Sequence, residues 1–462
     1  MAHIKISKGL NIPIKGKPQG KIQTRLGSEA TPHLKPVRIA LNLDPFEDIG
    51  FRFLAKVGDI VKIGQPLVED KSTPGRVWVS PAGGVISEVR RGLKRRILDI
   101  IIDLAEDEGH HDHGTLDVEV ATRDELIDKL NKGGMFTRMR NRPFNVLANP
   151  AKQPRSIFVK AIESAPLAPP AEMQVEGNEE DFQIGLNAIA KLPEGDVHLV
   201  YRNDSTLKAF TEAKNVKRHT AEGPHPIGTF SVHIQHLDPI KSADDTIWTL
   251  NAQDVVCIGH LLRTGRYFTD RVISIAGPGV IPERTGYFKV REGFPVESLI
   301  SDRIQKGFIR LISGNPLTGQ KVEHDDYLGF YHYTFCAIPE STDREFLHFF
   351  RLGINKYSFS GAYLSGHLNN ENREYDFNTS LHGEHRAFID PTLYDKVNPL
   401  PISTIHLVKA VMAEDYDLAE ELGLLEVDSE DFALPTFVCP SKMEMTEIMK
   451  QGIKTYSKEF LK

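Results

Sequence analysis

The stretch Val57-Gly58-Asp59-Ile60-Val61-Lys62-Ile63-Gly64-Gln65-Pro66-Leu67-Val68 alternates apolar and polar residues between glycines, and Val77-Trp78-Val79-Ser80-Pro81-Ala82-Gly83-Gly84-Val85-Ile86 repeats the pattern. Apolar side chains at every second position bury one face of a strand, and the glycine and proline breaks turn the chain back on itself. This region therefore reads as short strands joined by tight turns. Just beyond it, Ile97-Leu98-Asp99-Ile100-Ile101-Ile102 is another strand-like run. Between the two lies Arg90-Arg91-Gly92-Leu93-Lys94-Arg95-Arg96, whose basic residues belong on a hairpin turn. Such a turn is either simply solvated or a docking patch for a membrane-facing partner or anionic lipid.

The spacing V-G-D-x-V-x-x-G-Q-P-L, followed by Ser80-Pro81 and Gly83-Gly84, resembles a biotinyl/lipoyl-type β-sandwich. Lipoyl domains carry a modified lysine on an exposed turn. Glu69-Asp70-Lys71-Ser72 sits at a similar place, which makes Lys71 either a swinging-arm lysine or an ordinary turn lysine in a borrowed fold. Pro74-Gly75 reshapes the turn and favours the second reading.

Further on, the chain becomes acidic from Glu106 to Glu119 and holds His110, His111 and His113 between Gly109 and Gly114. This reads as a flexible domain boundary, with a metal site as the alternative. Thr122 and Glu125 then form a capping box ahead of Leu126, Ile127 and Leu130, and Gly133-Gly134 ends that helix. Ile157-Phe158-Val159 and Val197-His198-Leu199-Val200-Tyr201 read as buried strands, with a helix from Phe182 to Lys191 between them. Strand–helix–strand of this kind predicts a parallel sheet with crossover helices. From about Asp254 the chain is expected to be strand-rich again. Arg271–Gly277 and Tyr287–Gly293 pair there, followed by a short helix from Val296 and a strand from Phe308 to Ser313. From about Thr404 apolar residues recur at helical spacing. The expected class is thus α+β and multidomain: a lipoyl/biotinyl-like β-sandwich over 1–103, a Rossmann-like α/β domain over 104–253, a small β-grasp-like (SLBB) module over 254–330, and a C-terminal region over 331–462, helical from about 404.

Composition narrows the function. The chain has 462 residues, 40% of them hydrophobic, and a net charge of −7. That charge disfavours nonspecific binding along nucleic acid. No run approaches the roughly 18–20 apolar residues that span a bilayer, and the N-terminus has no apolar core of a signal peptide, so a cytoplasmic location is expected. Cys257, Cys336 and Cys439 are too few and too scattered for a disulfide framework or the four thiolates of an iron–sulfur cluster.

No dinucleotide fingerprint, P-loop, H-E-x-x-H or nucleophile elbow occurs. Gly277-Pro278-Gly279 follows a strand, but proline removes an N–H that a phosphate cradle would use. His225, His233 and His236 lie within twelve residues. With His225 between prolines and the other two expected on opposite faces of a strand, a role in organising backbone at a domain junction is preferred to a metal site.

Several segments together carry a family resemblance. They are Ile4-Lys5-Ile6-Ser7-Lys8-Gly9-Leu10-Asn11-Ile12-Pro13-Ile14-Lys15-Gly16; Gly223-Pro224-His225-Pro226-Ile227-Gly228 with His233-Ile234; Gln253-Asp254-Val255-Val256-Cys257-Ile258-Gly259 with Thr264-Gly265; and Leu422-Gly423-Leu424-Leu425-Glu426-Val427 running into Glu430-Asp431-Phe432-Ala433-Leu434-Pro435-Thr436-Phe437-Val438-Cys439-Pro440-Ser441-Lys442. In this order they resemble the NqrA family, one of the six kinds of subunit that make up bacterial Na+-translocating NADH:quinone oxidoreductases. Asp390, where that family usually has glycine, is a local departure.

That family is in turn similar to the NADH- and FMN-binding subunit of respiratory complex I and to the RnfC component of the Rnf complex. Their glycine-rich flavin loop corresponds here to Lys132-Gly133-Gly134-Met135-Phe136-Thr137-Arg138. Met135 and Arg138 replace glycines that let backbone approach a phosphate. One cysteine, Cys439, remains where cluster-binding relatives have several.

The resemblance implies a peripheral subunit on the cytoplasmic side of the inner membrane, without flavin, iron–sulfur cluster or metal of its own. It implies a complex that uses NADH, flavins, iron–sulfur and ubiquinone to export Na+. The partners are then the sister subunits NqrB to NqrF, with NqrB closest and ubiquinone a further candidate. It also implies a part in the semiquinone-to-quinol step, as scaffold or as part of the quinone site. No catalytic, cofactor-binding or metal-binding residue is assigned. The rival readings are a stand-alone flavin or NAD oxidoreductase and a lipoyl-type carrier.

Overall fold

A computed structural model describes residues 1–342, 346–347, 350–368, 370 and 372–460. The alternating stretches near the N-terminus form two antiparallel sheets. One has the order Arg38–Asn42, Ile97–Leu104, Gly84–Arg91, Ile60–Val61, and the other Phe51–Phe53, Pro66–Asp70, Val77–Val79. Leu41, Val68, Trp78, Ile86 and Ile100 fill the space between them. The basic segment is a hairpin turn, as expected: Gly84–Arg91 and Ile97–Leu104 pair across it.

The middle of the chain builds a seven-stranded sheet in the order His3–Lys5, Lys217–Glu222, Val197–Arg202, Ser156–Ala161, Ile247–Asn251, Arg140–Arg142, Val146–Leu147. The first five strands run parallel. The helix Arg123–Lys132 starts on the predicted capping box and ends at Gly133. Helix Glu179–Ile189 packs against helix Ala252–Thr264 so closely that a Cβ on Gly259 would overlap the Asp181 carbonyl.

A mixed six-stranded sheet follows: Gln320–Val322, Ile309–Ser313, Thr334–Pro339, Asp270–Ala276, Gly286–Arg291, Ile22–Arg25. The C-terminal helices Thr404–Met412, Tyr416–Glu421, Ala433–Val438 and Met445–Ser457 share one core with the N-terminal arm.

Four expectations need correction. Residues 252–264 are a helix, not strand, and it packs on the α/β sheet, so the strand-rich part begins with Asp270 rather than Asp254. The polar–apolar pattern there is helical because Asp254 closes a capping box with Asn251. The N-terminal arm does not stay with the β-sandwich. His3–Lys5 pairs with Lys217–Glu222 and Ile22–Arg25 with Gly286–Arg291, because Ile4, Ile6, Ile12 and Ile14 find their apolar partners there. His233 lies on a helix, Phe230–Leu237, as does His236. Residues 106–114 are strapped down rather than loose: Glu108 binds Arg291 at 2.7 Å, and the His111 N–H donates to the Ile63 carbonyl at 2.8 Å. At Asp390, glycine is not required. φ there is not positive, and the carboxylate accepts from the Thr392 N–H at 2.9 Å, opening helix Thr392–Val397.

Candidate functional site

The segment that corresponds to the flavin loop leaves helix Arg123–Lys132 through Gly133 and Gly134 and runs into a turn, Met135–Thr137. Both glycines are used for packing. A Cβ on Gly133 would overlap the Leu261 side chain. Gly134, at φ +76°, lies against Val79 and the Val77 carbonyl of the β-sandwich. Met135 and Phe136 are fully buried, and Phe136 meets Trp248 edge-on at 5.6 Å. The N–H groups of Gly133, Gly134, Thr137 and Arg138 are bonded to the Lys129, Asn131, Gly134 and Met135 carbonyls, so they are not free as the bare N–H groups of a phosphate cradle would be.

Arg138 ends the loop in a buried ionic centre. Its guanidinium lies 3.4 Å from Asp254 at the start of helix Ala252–Thr264, donates to the Tyr267 hydroxyl at 2.8 Å, and pairs with Glu292. Glu292 also binds Arg271 at 3.2 Å and accepts from the Tyr267 hydroxyl at 3.1 Å. The Arg138 guanidinium lies over the Phe330 ring at 5.2 Å. Burial opposes the Arg138 charge, but Tyr267, Glu292 and Asp254 more than offset it and raise its pKa. Burial pushes the Asp254 carboxyl up against the pull of Arg138, and lifts the Cys257 thiol to about 11. The centre ties the loop, the α/β helix and the six-stranded sheet together. Sequence reading missed it as a constellation. The signals were there: an arginine in place of a loop glycine, and Arg271 and Glu292 as charges bounding apolar strands.

A second polar group lies at the carboxyl ends of the parallel strands, where open α/β sheets bind their ligands. Lys160 and Glu163 pair at 3.4 Å, and Ser164 Oγ meets His225 Nδ1 at 2.9 Å. The turn Ser429–Phe432 of the C-terminal region closes over this edge. Asn145 donates to Asp428, and the buried Arg142 donates to Ser231 at 2.9 Å beside Asp431. Burial raises the Glu430 carboxyl to about 7 and that of Asp431 to about 6.

The histidines singled out by sequence do not converge. His225 is held in a loop crossed by the N-terminal arm: the Leu10 N–H donates to the His225 carbonyl at 2.8 Å, and the His225 N–H to Asn11 at 2.9 Å. His233 Nε2 meets the Ile227 carbonyl at 2.8 Å, and His236 Nδ1 the Val232 carbonyl at 2.8 Å. The role in organising backbone is what the geometry displays. His111 and His113 line a cavity of about 470 Å³ with Pro66, Asp112, Asp128, Lys129 and Lys132, where Lys129 donates to the His113 carbonyl and Lys132 pairs with Asp128. Among the described residues no three His, Cys, Asp or Glu side chains are grouped to hold a metal. Gly277-Pro278-Gly279 is a turn whose N–H groups are spent on the Gly16 and Ala337 carbonyls. Lys71 is exposed at the end of strand Pro66–Asp70. Cys439 is buried, 3.1 Å from the Tyr394 hydroxyl.

Comparison with known proteins places this architecture. Residues 4–105 match the profile of the NqrA N-terminal barrel-sandwich hybrid domain, 121–267 that of the NqrA second alpha/beta domain, and 272–324 that of the NQRA C-terminal domain. The NqrA chain of the Na(+)-translocating NADH-quinone reductase of Chlamydia caviae is 35% identical, covering 99% of this chain and 97% of its own. That of Saccharophagus degradans is 35% identical over 99% and 100%, and that of Rhodopirellula baltica 35% over 98% and 98%. The chain belongs to the NqrA family of the Na+-translocating NADH-quinone reductases. Chains of two NAD+-reducing [NiFe]-hydrogenase structures, air-oxidised and H2-reduced, align at 10% and 11% identity with TM-scores of 0.32 and 0.33. They cover 50% and 75% of this chain, and 52% and 66% of their own. The α/β match ends at 267, past helix Ala252–Thr264, in agreement with where that helix packs. Among the described residues no helix is long and apolar enough to cross a membrane.

Proposed function

We propose that this chain is the peripheral, cytoplasmic-side component of a Na+-translocating NADH:ubiquinone reductase at the inner membrane, and that it serves as a scaffold and gate over the quinone-reducing part of the complex. Electrons from NADH pass through flavins and iron–sulfur centres held by the sister subunits NqrB to NqrF. This chain contributes to the semiquinone-to-quinol step by shaping the quinone site of NqrB or by forming part of it. The observation that supports a scaffold over a flavin or NAD enzyme is the loop at 132–138. Its glycines are consumed by packing, and its Arg138 is locked into an ionic centre joining the loop to a helix and a second sheet. Arg138 Nε and Glu292 Oε1 are buried without a hydrogen-bond partner, so the hold on the junction comes from the ion pairs themselves.

The test is a complex assembled without this chain and assayed two ways. NADH oxidation by an artificial acceptor should persist, because it needs only the flavin-bearing sister chain, while inhibitor-sensitive, Na+-coupled quinone reduction should be lost. Quinone reduction at the normal rate would rule out both scaffold and quinone-site roles.

A further inference from the structure

The basic hairpin reaches beyond the sheet that carries it. Its strands pair as far as Arg91 and Ile97, while the neighbouring strand Arg38–Asn42 pairs with Asp103 to Asp99 and Ile60–Val61 with Val85 and Gly84. Residues 92–96 therefore stand past the last rung. The base of the hairpin is tied down. Arg90 meets Asp325 and Asp326, Arg96 pairs with Asp44 and with Glu47, and the Arg91 guanidinium lies over the Phe53 ring at 5.7 Å. The tip is closed by its own bonds. The Gly92 N–H donates to the Arg96 carbonyl at 2.8 Å, the Arg96 N–H to the Leu93 carbonyl at 3.2 Å, and the Arg91 side chain to the Arg95 carbonyl at 3.2 Å.

This braced tip holds out one apolar side chain among unpaired cations. Leu93 is 92% exposed, the most open of the large apolar side chains among the described residues. Lys94 and Arg95, which follow it, both take left-handed backbone at φ 55° and 61°. Residues other than glycine seldom adopt that conformation, and it persists only where the surroundings hold it. No acidic residue lies between Glu88 and Asp99 in the sequence. The acids beside the hairpin base are taken: Asp44 and Glu47 by Arg96, and Glu47 and Asp48 by Lys454. Arg91, Lys94 and Arg95 are exposed and, among the described residues, make no ion pair.

We propose that the tip of this hairpin, Arg91 to Arg95, is a lipid contact: Leu93 enters the outer part of an anionic phospholipid leaflet while Arg91, Lys94 and Arg95 meet its phosphate groups. This rests on the reading of the chain as the peripheral component of the complex, and deepens it by naming a surface that touches the bilayer. Charge sets the sign of the partner. Each lysine or arginine brought to an anionic leaflet is worth about fivefold in affinity, and the attraction fades within a Debye length. Shape selects lipid over protein. One side of a standard protein interface covers about 800 Å², of which a projecting tip with a single apolar residue supplies a small part. A leaflet accepts one inserted side chain with cations at the level of the headgroups. The chain as a whole carries a net charge of −7, so an anionic leaflet repels most of its surface and the contact is confined to the tip. The tip thereby orients the β-sandwich toward the membrane and adds to the hold of the sister subunits.

The experiment uses the assembled complex in nanodiscs of phosphatidylglycerol with phosphatidylethanolamine, or of phosphatidylcholine alone. The three native cysteines are buried, so an apolar, environment-sensitive fluorophore can be placed on Leu93→Cys, or on Phe308→Cys, which changes a 76% exposed residue beside the six-stranded sheet. Melting of each isolated chain confirms that it folds. Spin-labelled lipid should quench the label at position 93 at least twofold in the anionic discs and far less in the neutral ones, and should leave the label at position 308 unchanged in both. Lys94→Glu with Arg95→Glu should abolish the quenching at position 93. Absence of quenching there in either disc means that the tip faces water, and overturns the proposal while leaving the peripheral reading intact. Equal quenching in both kinds of disc, quenching that survives the charge reversal, or quenching of both labels alike overturns it as well, because the contact is then not one of this tip with anionic headgroups. A label at position 93 shielded from aqueous iodide yet untouched by the lipid quencher would assign the tip to a protein partner and overturn the lipid contact. Failure of the wild-type chain to stay with the discs sinks both readings.

Discussion

Arg138 and Asp254 approach to 3.4 Å across the junction between the loop at 132–138 and the helix that backs the α/β sheet, and both are almost wholly buried. Glu292 completes the centre from the end of a strand in the six-stranded sheet and holds Arg138 and Arg271 at once. Removing one partner of a buried pair costs roughly 3–5 kcal/mol because the other charge is left uncompensated. Glu292→Gln leaves two guanidiniums short of an acid, whereas Asp254→Asn leaves Arg138 with Glu292. Denaturant unfolding should therefore rank Glu292→Gln as the more damaging. The reverse ranking would mean that Asp254, not Glu292, holds the junction.

Acid should weaken the fold through its buried histidines. Burial lowers His233 to about 3, and lowers His219, His225 and His332 to about 4. A histidine whose folded pKa lies below its unfolded value of about 6.5 gives stability that is complete above pH 6.5 and drains away as pH falls toward the folded value. For His233 the loss at pH 5.5 is about 1.4 kcal/mol. Asp431 and Glu430, with raised values, act in the opposite sense: they favour the fold as pH falls through about 7 to 6 toward their unfolded values. His233→Gln can still meet the Ile227 carbonyl, and should shrink the drop in Tm between pH 7.5 and 5.5 by about one to two degrees. An unchanged drop would show that His233 carries none of the acid sensitivity.

The basic hairpin divides into bound and open charges. Arg90 meets Asp325 and Asp326, and Arg96 pairs with Asp44 and with Glu47. Lys94 and Arg95 are exposed. Charge reversal at Arg96 should cost about 1 kcal/mol, discounted for partial exposure, while reversal at Lys94 or Arg95 should leave the isolated chain's stability unchanged. If Arg95→Glu loosens attachment to the membrane sector as salt rises, the hairpin is a docking patch. If attachment is constant across salt, it is a solvated turn.

All three cysteines are buried, and burial raises Cys336 to about 12 and Cys257 to about 11. A thiol kept protonated is a poor nucleophile. The native chain should show almost no reaction with a thiol reagent at pH 8, and three equivalents after denaturation. Cys439→Ser should leave quinone reduction by the assembled complex within a few-fold. Loss of electron transfer with assembly intact would contradict a packing role for Cys439.

Local patterns carry most of what the sequence reveals of the fold. The capping box at Thr122, the alternating stretches around Gly58 and Gly84, and the paired strands Asp270–Ala276 and Gly286–Arg291 depend on neighbours a few residues away, so the sequence displays them. Nonlocal pairings are hidden. Nothing in His3-Ile4-Lys5 or Ile22–Arg25 says that two strands of one arm will enter two different sheets, because their partners lie more than 200 residues away. Helix Ala252–Thr264 reads as strand because its all-round burial erases the helical stripe; Val255, Val256, Cys257 and Ile258 are all buried. The ionic centre is legible only as separate signals, Arg138 in the loop and Arg271 and Glu292 at strand ends; that they meet is decided by packing between distant segments.

On this reading the loop at 132–138 is a structural joint that can no longer hold a flavin phosphate, and a calorimetric titration of the purified chain with FMN tests it directly. No binding tighter than about millimolar is expected, because the N–H groups of Gly133, Gly134, Thr137 and Arg138 are spent on carbonyls of the same segment and Gly133 and Gly134 are packed against Leu261 and Val79. Stoichiometric binding at micromolar FMN, abolished by substitution within 132–138, would contradict it.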